Sequence, residues 1–146
     1  MNKINKTIWT FWENKIENNE ENFFINKCIK SWKIYCKNWN IIILNNINLK
    51  NWIKNVPEKI DIDNLSLIHK TDFYRLYLLY NYGGIWLDAS IFLTESIDYF
   101  LQNVDIDKCM FFKEKFIFEN NYYFIYCSWC ILSLKPKNNI IEKYFF

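Results

Sequence analysis

The fold is decided by residues 65–92, which read LSLIHKTDFYRLYLLYNYGGIWLDASIF. This stretch contains the single histidine, the single arginine and both glycines of the 146-residue chain. Its apolar residues recur at helical spacing up to the Gly-Gly pair, and a short apolar run with strand character follows. The pattern predicts a helix, a stop, a buried strand and an aspartate, Asp88, at the carboxyl end of that strand. Ligands of open α/β sheets bind beyond the carboxyl ends of strands, so Asp88 marks a candidate site.

The predicted helix carries two charged residues on a surface that is otherwise largely apolar. Asn64 or Ser66 can cap its N-terminus, and Gly83 can end it because glycine adopts the left-handed conformation without a Cβ clash. Asp72 and Arg75 are three residues apart and therefore share one face. Charges on a buried helix are costly unless they are paired or functional. The residues alone leave both interpretations open, an intrahelical ion pair or part of a ligand site.

The run TDFYRLYLLYNYGGIWLDAS resembles the nucleotide-sugar region of DXD-type glycosyltransferases, most closely the capsular polysaccharide synthesis family. The shared pattern is an aspartate and an arginine on a helix, a Gly-Gly pair, an aromatic residue and D-x-D. Initiation mannosyltransferases and glucosylating clostridial toxins share the wider pattern. Residues 4–13, INKTIWTFWE, resemble the family's opening strand. The resemblance implies an α/β fold: one GT-A-like, Rossmann-type nucleotide-sugar-binding domain with a mixed sheet over residues 1–146.

The resemblance also implies roles for individual residues in binding the donor. Trp12, at the end of the first strand, corresponds to an aromatic residue that stacks on the nucleotide base, with Trp9 as the alternative. Asp72 corresponds to an aspartate that contacts ribose or base. Arg75 corresponds to an arginine near the diphosphate or the sugar. Asp88 corresponds to the first aspartate of D-x-D.

A divalent cation, Mn²⁺ or Mg²⁺, is the cofactor that this resemblance implies. Asp88 would contact the ribose and metal-bound water, and Ser90 stands where the second aspartate binds the metal directly. A serine hydroxyl is a neutral and weaker ligand, so we expect lower metal affinity or a metal held mainly by the diphosphate. The other D-x-D, Asp61-x-Asp63, lies in a polar segment with no strand before it and is interpreted as a solvated connector. No catalytic base is identified.

Composition excludes several other classes of protein. With 51% hydrophobic and 21% aromatic residues the chain is not disordered, and a net charge of +2 does not predict a nucleic-acid surface. A single Gly pair rules out G-x-G-x-x-G and Walker loops. Five cysteines without a framework spacing and a polar N-terminus predict reduced thiols and a cytoplasmic location. A peripheral position at the inner face of the membrane is a separate expectation. Cys127 and Cys130, a C-x-x-C in a strand-like run, are interpreted as buried thiols.

The remaining elements follow from local patterns. Strands are predicted at 6–11, 40–44, 85–87, 109–112, 116–118 and 122–134, with a turn at 119–121. Helices are predicted at 22–36, 49–56 and 138–146, and Ser96 is expected to cap a short turn through Phe100. The chain ends on the apolar residues Tyr144, Phe145 and Phe146. We expect it to be the N-terminal part of a longer family domain.

These features together predict a glycosyltransferase. It would move a sugar from a nucleotide-sugar, with a UDP-sugar expected, to a glycan acceptor in capsular or surface polysaccharide synthesis. By the resemblance, transfer is of the retaining, hexosyl type. One alternative is a non-catalytic nucleotide-sugar-binding domain, because the second carboxylate is missing. The other is an interaction domain that uses the aromatic-rich residues 122–146 as an interface.

Overall fold

A mixed five-stranded sheet with helices on both faces organises the chain. The computed structural model describes residues 4–13, 20–105, 107–118 and 121–145. The elements in chain order are β1 (Thr7–Phe11), α1 (Glu20–Tyr35), β2 (Asn40–Leu44), α2 (Leu67–Tyr82), β3 (Gly84–Leu87), α3 (Ile97–Leu101), β4 (Met110–Phe118), β5 (Asn121–Ser133) and α4 (Asn139–Phe145). The predicted α/β class with a mixed sheet is confirmed.

The strand order in the sheet is β2-β1-β3-β5-β4. Strand β1 pairs in parallel with β2 on one side and with β3 on the other. Strand β5 runs antiparallel to both β3 and β4. The chain leaves β1 toward β2 and then crosses back to β3, so the order reverses between β1 and β3. A ligand site is expected at the carboxyl ends of these two strands.

Alternation along the strands divides the core into two layers. Ile8 and Ile85 pack on one face with apolar residues of α1, and Trp9 and Trp86 pack on the other face with residues of α2. Successive side chains of a strand point to opposite faces of the sheet. Helix α2 therefore lies against the face that carries Trp86.

The Gly-Gly pair connects α2 directly to β3. Gly83 has a φ of 71° and a ψ of −174°, so its predicted positive φ is confirmed, but its ψ is extended and not left-handed helical. Gly84 has a φ of 111°, and a Cβ built on it would lie 2.5 Å from the carbonyl oxygen of Thr7. Both positions require glycine, and the second also lets β3 approach β1 closely.

The predicted helix over 49–56 is wrong apart from a single 3₁₀ turn, Leu49–Asn51. Side-chain bonds compete with a helix here, because Asn45 Oδ1 accepts from the backbone N–H of Asn48, and Asn48 Nδ2 donates to the carbonyl of Ile43. Farther along, the amides of Lys54 and Asn55 donate to the hydroxyl of Tyr77, at 3.3 and 3.1 Å. These two backbone amides thus donate to a side chain of α2 and not to carbonyl groups of a local helix.

The two strands predicted at 109–112 and 116–118 form one strand, β4, with a register irregularity between Phe111 and Phe112. Long-range pairing with β5 keeps the intervening polar residues in the sheet. Of the predicted turn at 119–121, residues 119 and 120 lie outside the described residues, and 121 begins β5. Ser96 caps α3 as predicted, and Ser66, not Asn64, caps α2.

All five cysteines are free. Cys127 and Cys130 lie buried in β5, which confirms their interpretation as buried thiols. Burial, together with the nearby Asp88 carboxylate, raises the pKa of Cys130 to about 12. In the described ranges, no helix combines the length and the apolar character needed to span a membrane.

Candidate functional site

A pocket of about 230 Å³ lies at the carboxyl ends of β1 and β3. It is lined by Phe11, Trp12, Thr71, Arg75, Trp86, Asp88, Ala89 and Ser90. Four of the five residues predicted to form the donor and metal site therefore line one pocket. It occupies the position in the sheet where strand order reverses, as expected for a ligand site of this architecture.

Asp88 is held at the end of β3 by its backbone and by one side-chain oxygen. Its amide donates to the carbonyl of Trp129 at 2.8 Å. Its Oδ1 accepts from Trp86 Nε1 at 2.7 Å and lies 3.5 Å from Arg75 Nη2. Within the described residues no donor is bonded to Oδ2, and the side chain is 37% exposed. The carboxylate thus keeps one oxygen for a ligand.

Arg75 joins three elements through its guanidinium. Nη1 donates to the carbonyl of Ser128 on β5 at 2.9 Å and lies 3.3 Å from Asp72 Oδ1, while Nη2 faces Asp88. The guanidinium carbon lies 5.3 Å from the ring centroid of Trp86, a cation–π distance. The side chain is 9% exposed, and its buried Nε has no hydrogen-bond partner among the described residues. An arginine so fixed presents its charge at a defined place.

Asp72 forms the predicted pair with Arg75, yet it lines a neighbouring pocket. That second pocket, of about 690 Å³, is lined by Asp72, Arg75, Leu76, Phe111, Tyr126, Ser128, Ile131 and Ile140. Arg75 lines both pockets. The two interpretations of the Asp72–Arg75 pair are therefore compatible, because the ion pair exists and also borders two cavities.

Trp12 lines the pocket and Trp9 does not. The backbone amide of Trp12 donates to the carbonyl of Leu44 at 2.9 Å, and its Nε1 donates to Asn22 Oδ1 at 3.1 Å. Trp9 is buried in the core, and its Nε1 donates to the carbonyl of Gly83 at 2.9 Å. Of the two, Trp12 has a partly exposed ring beside Asp88 and Ser90.

The residues predicted to bind a metal provide a small donor set. Asp88 supplies one free carboxylate oxygen, and Ser90 is exposed and lines the same pocket. In the described part of the chain there is no group of three or more His, Cys, Asp or Glu suited to a metal ion. Magnesium is commonly bound through one or two carboxylates together with substrate phosphates and water. Asp88 and Ser90 fit that mode of binding.

Three residues near the predicted site residues in sequence or in space lie outside this pocket. His69 is exposed at the start of α2, with Nδ1 3.1 Å from Ser66 Oγ. Asp61 lies in the connector and accepts from Asn64 Nδ2 at 2.7 Å, as expected for a polar loop. Trp129 stacks on Phe112, with centroids 4.7 Å apart, and contributes its carbonyl to Asp88.

Trp86, whose indole nitrogen donates to Asp88, had no predicted role. Residues two apart on a strand lie on the same face, and this spacing relates Trp86 to Asp88. That spacing was the available signal. The carbonyl of Ser128 is a second unpredicted partner, and a backbone acceptor 53 residues from Arg75 has no local signature.

The family model described as capsular polysaccharide synthesis protein matches residues 1–145. The chain belongs to this family. A solved structure entitled "PaToxG Glycosyltransferase" has the same fold, with a TM-score of 0.61 and 14% sequence identity. The match covers 97% of this chain and 59% of that chain, so our chain spans less than two thirds of that structure. No curated protein sequence matches significantly. The predicted family and the predicted glycosyltransferase-like fold are confirmed.

Proposed function

We propose that this chain is a glycosyltransferase domain that transfers a sugar from a nucleotide-sugar to a glycan acceptor in capsular or surface polysaccharide synthesis. A UDP-sugar is the expected donor. Family membership and the shared fold support this proposal. The observation that carries it is the buried guanidinium of Arg75, held against Asp88 between the carboxyl ends of β1 and β3 and beside the ring of Trp12.

The proposed reaction needs positive charge at the leaving group. A bond forms between an acceptor oxygen and the anomeric carbon, the bond from that carbon to the diphosphate breaks, and the acceptor proton is released. Negative charge accumulates on the diphosphate, and a preorganised cationic group stabilises it. Arg75 is suited to this task because its guanidinium is permanently charged and is held in a fixed place where it lines the pocket. A Mn²⁺ or Mg²⁺ ion at Asp88 and Ser90 would supply further positive charge.

The remaining assignments concern recognition. Trp12 would stack on the base, and the free oxygen of Asp88 would accept from ribose or bind metal-bound water. Asp72, in the neighbouring pocket, would accept from hydroxyls of a ribose or a sugar. Retention and hexosyl transfer are proposed from the family resemblance. A cytoplasmic site of action is proposed from the free thiols, together with a position at the inner face of the membrane. No described residue is assigned as a catalytic base.

The test is a thermal-shift titration with UDP and GDP, with and without Mn²⁺, on wild type and Asp88→Ala. A ligand that binds only the folded state stabilises it by about 2.7 kcal/mol at 100 times its Kd. We expect a Mn²⁺-dependent shift with UDP that is lost in Asp88→Ala. Asp61→Ala is the matched control, because Asp61 belongs to the other D-x-D and lies outside the pocket. The absence of a shift with both nucleotides would contradict the proposal.

A non-catalytic nucleotide-sugar-binding domain is the second candidate. It is favoured by Ser90, which leaves Asp88 as the one carboxylate lining the described pocket. Turnover separates the two functions: a bound UDP-sugar that is neither transferred nor hydrolysed would favour the binding domain. An interface role for residues 122–146 is a further alternative, since Ile125, Tyr126 and Ile140 are exposed. It predicts a stable oligomer and no response to UDP.

A further inference from the structure

Two buried tryptophans lie side by side on the sheet face covered by α2. Trp9 on β1 and Trp86 on β3 are register partners, and both belong to the same core cluster. Each is 1% exposed, and each donates its indole N–H to an acceptor. They differ in what that acceptor is. Trp9 donates to the backbone carbonyl of Gly83 at 2.9 Å, whereas Trp86 donates to the carboxylate of Asp88 at 2.7 Å.

Trp86 contacts both charged groups that border the pocket. Its N–H holds Oδ1 of Asp88, and its ring lies 5.3 Å from the guanidinium carbon of Arg75. Arg75 Nη2 is 3.5 Å from that same Oδ1. Two donors thus converge on one carboxylate oxygen, and Oδ2 is the oxygen without a described donor. A carboxylate held in this way cannot rotate freely about its terminal bond.

We infer that Trp86 is a positioning residue for the donor site. It fixes the rotation of the Asp88 carboxylate, so that Oδ2 is the oxygen presented to a ribose hydroxyl or metal-bound water, and it supports the plane of Arg75. This inference rests on the proposed function, because it concerns how that site binds a nucleoside diphosphate. Trp9, with the same burial and the same sheet face, serves the fold alone.

The chain offers a matched pair of variants. Trp86→Phe and Trp9→Phe each remove one buried indole N–H and leave an aromatic ring in the same core layer. Trp86→Phe also removes a donor to a charged carboxylate, and such bonds are stronger than bonds between neutral groups. We expect both variants to melt at a lower temperature than wild type, Trp86→Phe by at least as much as Trp9→Phe. With UDP and Mn²⁺ as the probe, we expect Trp86→Phe to raise Kd about tenfold and Trp9→Phe to leave it nearly unchanged.

A spectroscopic measurement tests the contact without any ligand. The seven tryptophans give indole N–H signals in an ¹⁵N–¹H spectrum, and the two Phe variants assign those of Trp9 and Trp86 by their disappearance. In Asp88→Ala, we expect the signal of Trp86 to shift and to exchange faster with solvent, with that of Trp9 unchanged. The Asp88 side chain is 37% exposed, so this variant is expected to fold even if Trp86→Phe does not. The Trp86 signal is then assigned in the wild type from its through-bond and sequential connectivities, independently of the Asp88→Ala spectrum.

The outcomes separate the inference from the function on which it rests. A Trp86 signal that is indifferent to Asp88→Ala would overturn the positioning role. Equal losses of UDP affinity in the two Phe variants would also overturn it, because a general packing defect would then explain both. Wild-type protein that binds neither UDP nor GDP would overturn the proposed function instead. A selective loss in Trp86→Phe, with the selective spectral change, supports the assignment.

Discussion

Arg75 contacts several groups of the candidate site through one side chain. Its partners are a backbone carbonyl of β5 and two carboxylates, Asp72 and Asp88, that are 48% and 37% exposed. Without Arg75, water can still solvate the two exposed carboxylates. The contacts with the carbonyl of Ser128 and the ring of Trp86, in contrast, need a planar guanidinium. Lysine cannot form this set of bonds, because it is a point charge on a flexible stem.

Arg75→Lys is therefore expected to lower the free energy of unfolding by about 1–3 kcal/mol, since a buried charge-assisted hydrogen bond is lost. It should also weaken UDP binding. Urea unfolding at neutral pH measures the first effect and the thermal-shift titration the second. Lys108→Ala is the control: the Lys108–Asp105 pair is 75% and 50% exposed, so less than about 0.5 kcal/mol is expected. Equal effects of the two substitutions would contradict the structural role of Arg75.

Ser90→Asp tests the metal assignment by restoring a carboxylate. Ser90 is exposed, so the fold should tolerate the change. We expect the Mn²⁺ concentration that half-saturates the UDP-dependent stabilisation to fall on the order of tenfold, because cation affinity rises with the charge of the ligand set. Ser90→Asn introduces a neutral side chain of the same size as aspartate, so it should have little effect on this Mn²⁺ concentration. If both variants behave like wild type, no metal ligand lies at this position.

At the scale of elements, the turn from α2 into β3 sets the position of Asp88. Gly83 and Gly84 both have positive φ, and a Cβ on Gly84 would collide with the backbone of β1. We expect Gly84→Ala to destabilise the protein by at least about 3 kcal/mol, through strain and steric conflict together. Gly83→Ala, whose Cβ would meet backbone atoms at 3.0 Å, should cost about 1–3 kcal/mol. Denaturant titration ranks the two, and the reverse order would contradict the geometry.

The elements that sequence predicted well are those with local signals. The cap at Ser66, the apolar periodicity of α2 and the glycines that follow define that segment without reference to the rest of the chain. The missing helix over 49–56 depends on Asn side chains and on the hydroxyl of Tyr77, a partner more than twenty residues away. Likewise, β4 is continuous because β5 pairs with it, and its own polar residues do not indicate that pairing.

The residues of the candidate site likewise divide into those with a local sequence signal and those placed by tertiary packing. Asp88 and Arg75 could be predicted because their residue types and spacing carry the chemistry. Their contact could be expected from the order of elements. The placement of Asp72 in the neighbouring pocket, and the hydrogen bond from Trp86, depend on how α2 crosses the sheet. Such side-chain geometry arises from tertiary packing and has no local signature.

For the whole molecule, the buried thiol of Cys130 lowers the free energy of unfolding as the pH becomes alkaline. Burial raises its pKa to about 12, above the ordinary thiol value of 9.0. The unfolded thiol ionises first, so the unfolded state binds fewer protons and stability falls as pH rises between these values. We expect wild type to lose about 1 kcal/mol more between pH 8 and pH 10 than Cys130→Ala. Urea midpoints of both proteins at the two pH values measure this, and equal losses would show that Cys130 does not contribute.

The position of β5 inside the sheet, between β3 and β4, has a consequence for the newly made chain. Residues that build the pocket come from the first strand, from α2 and β3, and from the carbonyl groups of β5, which leaves the ribosome after all of them. Chains fold from the N-terminus during synthesis. A nascent polypeptide that stops short of β5 still carries Asp88 and Arg75, but it lacks the carbonyls that hold them. Under the proposed function, the ability to bind a nucleotide-sugar is therefore acquired late in translation, and a prematurely released chain should not bind it.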